Sequence, residues 1–346
     1  MVNKTTPVAT PEMLNAIRDE ASAAYQDKVP VATPFNLQEV GNPIINYEAV
    51  GNEFIDSIIN KIVAQLIIRR MWENPLAILR RDTMPLGWDI EENHVNPAQA
   101  QNYDGTEVGM AKILKMEKPD VATVYYRLNR QDMYQVTINN DQLRAAFTAW
   151  SKMEDLIAGI VDSLYTGNTI DEYKYTKQLI SDAIANNRII MQNVANPVDD
   201  VTGKNFMAVL RGLSMMFTFP STSYNSYQKI SGKPPRMTWS PIQDQIILIR
   251  GDVASKIGVE VLSTLFNVEY ADYIARNIVV DNFGDETTLA VLADRNAFLI
   301  MEQLRQFRTF YNGASLGWQY FYHAWDLFSL SPFHNMVALT TAAVTP

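Results

Sequence analysis

Cysteine is absent from all 346 residues, and with it go disulfides, thiol nucleophiles and thiolate metal sites. Packing, hydrogen bonding and assembly are what remain to hold such a chain together. Histidine is nearly as scarce: His94, His323 and His334 are the three in the chain. No HExxH and no paired spacing sets two of those imidazoles on one metal, so they read as structural or solvated side chains. Long apolar runs are also missing. No stretch reaches the ~18 residues of a membrane span, and the opening Met-Val-Asn-Lys-Thr-Thr-Pro has no apolar core for a signal peptide. The expectation is a soluble protein made in the cytoplasm. Positive charge is in deficit, at a formal net −9, which argues against a basic groove that grips nucleic acid by counterion release.

Other signatures of chemistry are equally thin. Gly203-Lys204-Asn205 and Gly232-Lys233-Pro234 resemble the end of a phosphate loop, but both lack the upstream Gly and the following Ser or Thr; they read as turns. Glu91-Glu92, Asp199-Asp200 and Asp285-Glu286 could serve acid–base work or a hard cation, yet adjacent carboxylates in Asn- and Gly-rich stretches read first as solvated turns. Tyr125-Tyr126-Arg127-Leu128-Asn129-Arg130 mixes rings and cations as single-strand binders do. The acidic balance favours the other reading, a hairpin tip whose Arg127 and Arg130 pair carboxylates across an interface.

The length allows about two ordinary domains, at roughly 150 residues each. Residues 1–50 read as an arm: Pro-Val-Ala-Thr-Pro occurs at Pro7–Pro11 and again at Pro30–Pro34, and each copy should be extended. A short helix starts at Pro11, capped by Thr10. Phe54, Ile58, Ile62 and Leu66 predict a helix over 51–74, ended before Pro75. From 80 to 120 the periodicity fades among Gly and Pro, as in a projecting loop. Strands follow at Val121–Arg127 and Met133–Ile138, the second alternating through Tyr134, Val136 and Ile138. Asp141 opens a predicted helix of about 25 residues through Leu143, Phe147, Trp150, Ile157 and Leu164, about 37 Å long. Thr166-Gly167-Asn168 should break it before a second helix over Asp171–Asn186. Helices are expected at Phe206–Met216 and Val253–Phe266, and strands at Gln245–Arg250 and Ile278–Val280. Asn312-Gly313 between the aromatic-rich runs Phe298–Phe310 and Ser315–Leu327 signals a hairpin, with Leu316, Trp318, Tyr320 and Tyr322 on one face. A helix over 298–311 is the competing reading.

In this order the segments resemble the HK97-like major capsid proteins of tailed phages. Three stretches carry the likeness: Asn129–Ile138 leading into Asp141–Phe147; Gly203–Phe206 with Leu210–Phe217; and Phe310–Leu316 with Tyr320–Trp325 and Ser331–Asn335. The resemblance implies an α+β HK97-like capsid fold. Its parts would be an N-terminal arm (1–50), an N-terminal helix (51–79), an extended β loop (80–139), long spine helices (140–190), a mixed α/β axial domain (191–297) and returning C-terminal strands (298–346).

What it further implies is a structural protein, not an enzyme, with no cofactor and no membrane. It would self-assemble as hexamers and pentamers, with a portal and a scaffolding protein as partners, into an icosahedral virion capsid built in the host cytoplasm. The shell would contain double-stranded DNA without reading its sequence. Arg127, Arg130 and Asp132 are the candidate intersubunit contacts. The alternatives are an encapsulin-like nanocompartment shell, or a metal-dependent hydrolase using the acidic pairs. No residue pair is assigned to a covalent cross-link.

Overall fold

Proline and an acidic first turn open helix α1 (Pro11–Glu20) where the sequence places it. The computed structural model describes residues 11–65, 72–100, 118–149, 152, 159, 162–257, 277–314 and 317–342. Where an extended tether was expected, two more helices follow, α2 (Ala23–Lys28) and α3 (Leu37–Asn46). The second proline pair stays non-helical between them. Helix α4 (Glu48–Gln65) starts three residues before the expected 51, and residues 72–74 are not helical; residues 66–71 lie outside the described residues. Met13, Leu14, Ile17, Tyr25, Val40, Ile44 and Phe54 are all buried in one cluster. Residues read as an arm thus contribute to a core that α1–α4 share.

The loop contributes strands β1 (Ile90–Val95), β2 (Val121–Tyr126) and β3 (Arg130–Asn139). The long helix expected from Asp141 is interrupted. Helix α5 covers Asn140–Ala146 and ends in a turn at Phe147–Thr148. The Phe147 ring lies 5.6 Å from that of Phe54 and directly against Gly41, where a Cβ would collide with it. The Thr148 hydroxyl donates to the Ala145 carbonyl at 2.6 Å, satisfying one of the last open carbonyls. The predicted break at Thr166-Gly167-Asn168 is instead helical: a π-turn over Asp162–Thr166 runs straight into α6 (Gly167–Ala185). Asn168 donates to Glu172 at 2.8 Å and Thr169 to the Tyr165 carbonyl at 2.9 Å, so side chains that favour turns bond within the helix.

Then come β4 (Ile190–Asn193), α7 (Asp200–Phe217), α8 (Tyr227–Ser231), β5 (Gln245–Arg250), α9 (Gly251–Ile257), β6 (Asn277–Val280), β7 (Thr288–Asp294), β8 (Phe298–Asn312), β9 (Gly317–Leu330) and β10 (Met336–Thr340). Of the helix expected over 253–266, residues 258–266 lie outside the described residues. The hairpin reading prevails over a helix at 298–311. Strands β8 and β9 are hydrogen-bonded neighbours, and a link this short forces them antiparallel. Trp318, Tyr320 and Tyr322 are buried together, while Phe321, His323 and Trp325 on the other face are half-buried.

The chain divides into two units. The first holds the described residues of 1–74, 131–172 and 304–325, around the cluster of α1–α4 with Phe147, Trp318, Tyr320 and Tyr322. The second holds those of 75–130, 173–303 and 326–346, around a mixed sheet in the order β4-β10-β7-β5-β6. Strand β5 reads Gln-Ile-Ile-Leu-Ile-Arg because both its faces are covered. Ile246 and Leu248 pack with Ile180, Ile184, Phe283 and Phe298; Ile247 and Ile249 pack with Phe206, Leu210, Leu213 and Phe217 of α7.

Candidate functional site: the base of the loop and its buried charges

Strands β1 and β2 pair antiparallel, Ile90 opposite Tyr126 and Val95 opposite Val121. The two-residue period sends Glu91 and Glu92 to opposite faces, so this acidic pair is not the solvated turn that was expected. Glu91 faces out with Asn93, Val95, Val121, Thr123 and Tyr125. Glu92 faces in, where the Tyr126 hydroxyl donates to it at 2.6 Å. His334 Nε2 stands 3.5 Å from Glu92, and its Nδ1 stands 3.6 Å from Asp294 at the end of β7. Asp294 also accepts from Ser240 at 2.5 Å. Burial disfavours the imidazolium, but hydrogen bonds and charge from Asp294 and Glu92 outweigh it and raise His334 to about 9. The same contacts hold Glu92 and Asp294 below their ordinary values against the opposing effect of burial. Both carboxylates thus favour the charged form of a half-buried His334. His94 differs: it stacks on Phe333 at 5.3 Å, and burial, then Arg236 and His334, push its pKa down.

The segment after β2 is not a hairpin tip, because β2 pairs with β1 whereas β3 pairs with β9. It is a crossover between sheets, fixed at each step. Arg127 is 82% exposed and meets Asp89 at 2.8 Å. Asn129 donates to the Phe328 carbonyl at 2.7 Å and accepts from the Phe328 amide at 2.8 Å. Arg130 is buried, 2.7 Å from an equally buried Asp326, which also faces Arg80 at 3.8 Å. Its guanidinium lies 4.8 Å from the Tyr175 ring centre. Asp132 is half-buried on β3. The three expected contact residues therefore separate: Arg127 faces solvent, Arg130 is engaged within its own chain, and Asp132 sits two residues along the strand.

Sequence reasoning passed over Arg236. It is 3% exposed at its side chain, 2.8 Å from Asp120, and lies over the Tyr227 ring. Asn96 donates to the same carboxylate at 2.8 Å and accepts from the Met237 amide at 3.1 Å, so the far end of the β1–β2 pair is tied to residues 236–237. Nothing local announces such pairs: 116 residues separate Arg236 from Asp120 and 196 separate Arg130 from Asp326. The remaining acidic pairs are structural. Asp199 caps α7 reciprocally with Thr202, and Asp285 accepts from Thr287 and Thr288. Gly203 and Lys204 lie inside α7 and not in a turn; Gly232, at φ 65°, ends α8 in the expected one. Among the described residues, no group of three His, Asp or Glu is placed to hold a metal ion, and no helix is long and apolar enough to cross a membrane.

These contacts tie β1, β2 and β3 to the segments around them. The chain matches the model of the Phi29-like phage major capsid proteins over residues 14–340. It belongs to that family. Its relatives include the major capsid protein of Bacillus phage B103, 31% identical over 97% of this chain and 74% of the relative. Another is the major capsid protein of Streptococcus phage Cp-1, 28% identical over 94% of this chain and 92% of the relative. The capsid structure of Staphylococcus phage Andhra superposes with a TM-score of 0.66 at 15% identity, covering 80% of this chain and 86% of that one. The fold is accordingly α+β and HK97-like. As a Phi29-like major capsid protein the chain is a structural subunit of the virion shell, forms the icosahedral head and is no enzyme. The hydrolase and nanocompartment readings are set aside by that membership.

Proposed function

We propose that this major capsid protein closes its shell from hexamers and pentamers around double-stranded DNA, in the host cytoplasm, with a scaffolding protein and a portal as partners. One observation carries the reading: a ridge of large exposed apolar side chains in the second unit. The end of α7 leads into Phe219, and Ser221 pairs with Thr238 through two hydrogen bonds of 2.9 Å. Alternation then buries Thr238 and Ser240 and turns Met237 and Trp239 outward. Trp239 is 53% exposed and Phe219 63%, with Met215, Met216 and Ile242 exposed beside them in sequence. Such a patch on a shell subunit marks an assembly surface, and residues 191–297 are the axial region that would present it to neighbouring copies.

In the same reading, residues 80–139 are the extended loop and meet a neighbouring subunit. Arg127 and Asp132 make the intersubunit contacts, while Arg130 sets the crossover that presents them. The net charge of −9 suits a wall that contains DNA without clamping it. The test is the double substitution Phe219→Asp and Trp239→Asp, with negative-stain electron microscopy and light scattering. The parent chain should give capsomers or closed shells and the variant a folded monomer. A variant that assembles normally overturns the assignment.

A further inference from the structure

Glu92, His334 and Asp294 lie in one line of polar contacts that continues in both directions inside the second unit. From Glu92 it reaches the Tyr126 hydroxyl on β2. From Asp294 it passes to Ser240 at 2.5 Å, from the Ser240 carbonyl to the Gln245 amide at 2.9 Å, and from Gln245 to the Ser214 hydroxyl of α7 at 2.6 Å. Every protein group along it other than His334 is neutral, or is a carboxylate made acceptor-only by ionisation. The imidazolium is therefore the one cationic link, and its two ring N–H groups face one carboxylate each. A neutral imidazole has one N–H and no charge, so both carboxylates lose their counter-charge, Glu92 keeping the Tyr126 hydroxyl and Asp294 the Ser240 hydroxyl and Asn296 amide as donors.

We propose that Glu92–His334–Asp294 is a proton-dependent clasp that fixes the β1–β2 hairpin to the end of the β7 strand and releases it when His334 is neutral. The charged and titratable groups facing His334 are Glu92 and His94 on β1 and Asp294 on β7, with Tyr126 beyond Glu92 and Arg236 beyond His94. Arg236 and His334 push His94 down, and the two adjacent carboxylates favour the His334 cation. The sign follows from linkage. A histidine raised to about 9 in the fold, against about 6.5 in an unfolded chain, stabilises the clasp fully below about 6.5 and loses that contribution as pH rises through 9. The carboxylates, held low, withdraw theirs as pH falls below the ordinary carboxylate range. The clasp is thus closed from mildly acid to neutral pH and opens at either extreme. Its closure does not depend on which neighbour the hairpin meets, so it stands apart from the contact assignment above.

The absence of cysteine makes a single probe unique. Tyr125→Cys places a nitroxide on the outer face of the hairpin, where Tyr125 is exposed; Lys204→Cys places a reference probe on exposed α7. In the full chain, the Tyr125 probe should keep one line shape from pH 6 to 8 and become mobile as pH passes 9, while the Lys204 probe does not change. His334→Gln should give the mobile spectrum already at pH 7. Histidine NMR on the parent chain should show one imidazole titrating more than two units above the ordinary 6.5, a readout that needs no folded variant. An unchanged Tyr125 line shape up to pH 10, parallel loosening of both probes, or no histidine titrating above 8 would each overturn the clasp.

Discussion

The two units solve the same burial problem with different materials. Of the fully buried polar and charged residues described, Asn168 alone belongs to the first unit; Arg130, Arg236, Asp294, Asp326, Gln245 and Asn335 all belong to the second. The first unit is a jigsaw of rings and short helices: Phe147 on Gly41, Tyr311 on Trp318, Phe307 on Tyr322 at 4.7 Å between ring centres. The second puts its apolar side chains on a sheet and fixes the loops around it with buried charge. Shape complementarity is sensitive to volume and indifferent to pH, whereas buried charge is sensitive to the loss of one partner and to titration. The first unit should therefore be broken by removing atoms, and the second by removing charges.

The largest effect is expected at Trp318. It is 2% exposed, and its indole donates to Asn52 at 2.6 Å. Trp318→Ala removes the largest ring of the first core and leaves a cavity, costing about 3–5 kcal/mol. Thermal or urea denaturation measures it. A loss under 1 kcal/mol would show that the helices around Trp318 collapse freely into the space and that the packing is not specific.

Asp326 supplies the matching test in the second unit. Asp326→Ala leaves Arg130 buried with its main counter-charge gone, at a cost of about 3 kcal/mol. The paired replacement Arg130→Met with Asp326→Leu should recover most of that loss, because it leaves no buried charge unpaired. If the double variant is as unstable as the single one, the pair contributes more than neutralisation, and the contrast between the units weakens.

Legibility in sequence follows the same contrast. Features written in local periodicity could be read directly: α1 at Pro11, β5 in its unbroken apolar run, the alternation of β3, and the β8–β9 hairpin at Asn312-Gly313. Features that depend on what arrives from far away could not. Phe147, just past the end of α5, packs where Gly41 lacks a Cβ, and no signal near Phe147 records that. Gly167 and Asn168 look like a break until Glu172 and Tyr165 accept the side-chain hydrogen bonds. At the loop base the residue types were visible, but Arg130 was assigned outward when its partner lay 196 residues downstream. Charge carries no period, so a buried cation and an exposed one have the same sequence signature.

Arg127 gives the smallest effect on stability and the sharpest separation from Arg130, three residues away. It is 82% exposed and its pairing with Asp89 is open to solvent, where such pairs contribute little and are screened by salt. Arg127→Ala should leave the melting temperature of the unassembled chain within experimental error, where removing Arg130 would lower it by several degrees. If Arg127 meets a neighbouring copy in the shell, the same substitution should raise the protein concentration needed for assembly, and added salt should erase the difference between variant and parent. A variant that melts and assembles like the parent at every ionic strength would leave Arg127 as a solvated side chain and move the contact role to Asp132 and the outer face of β1 and β2.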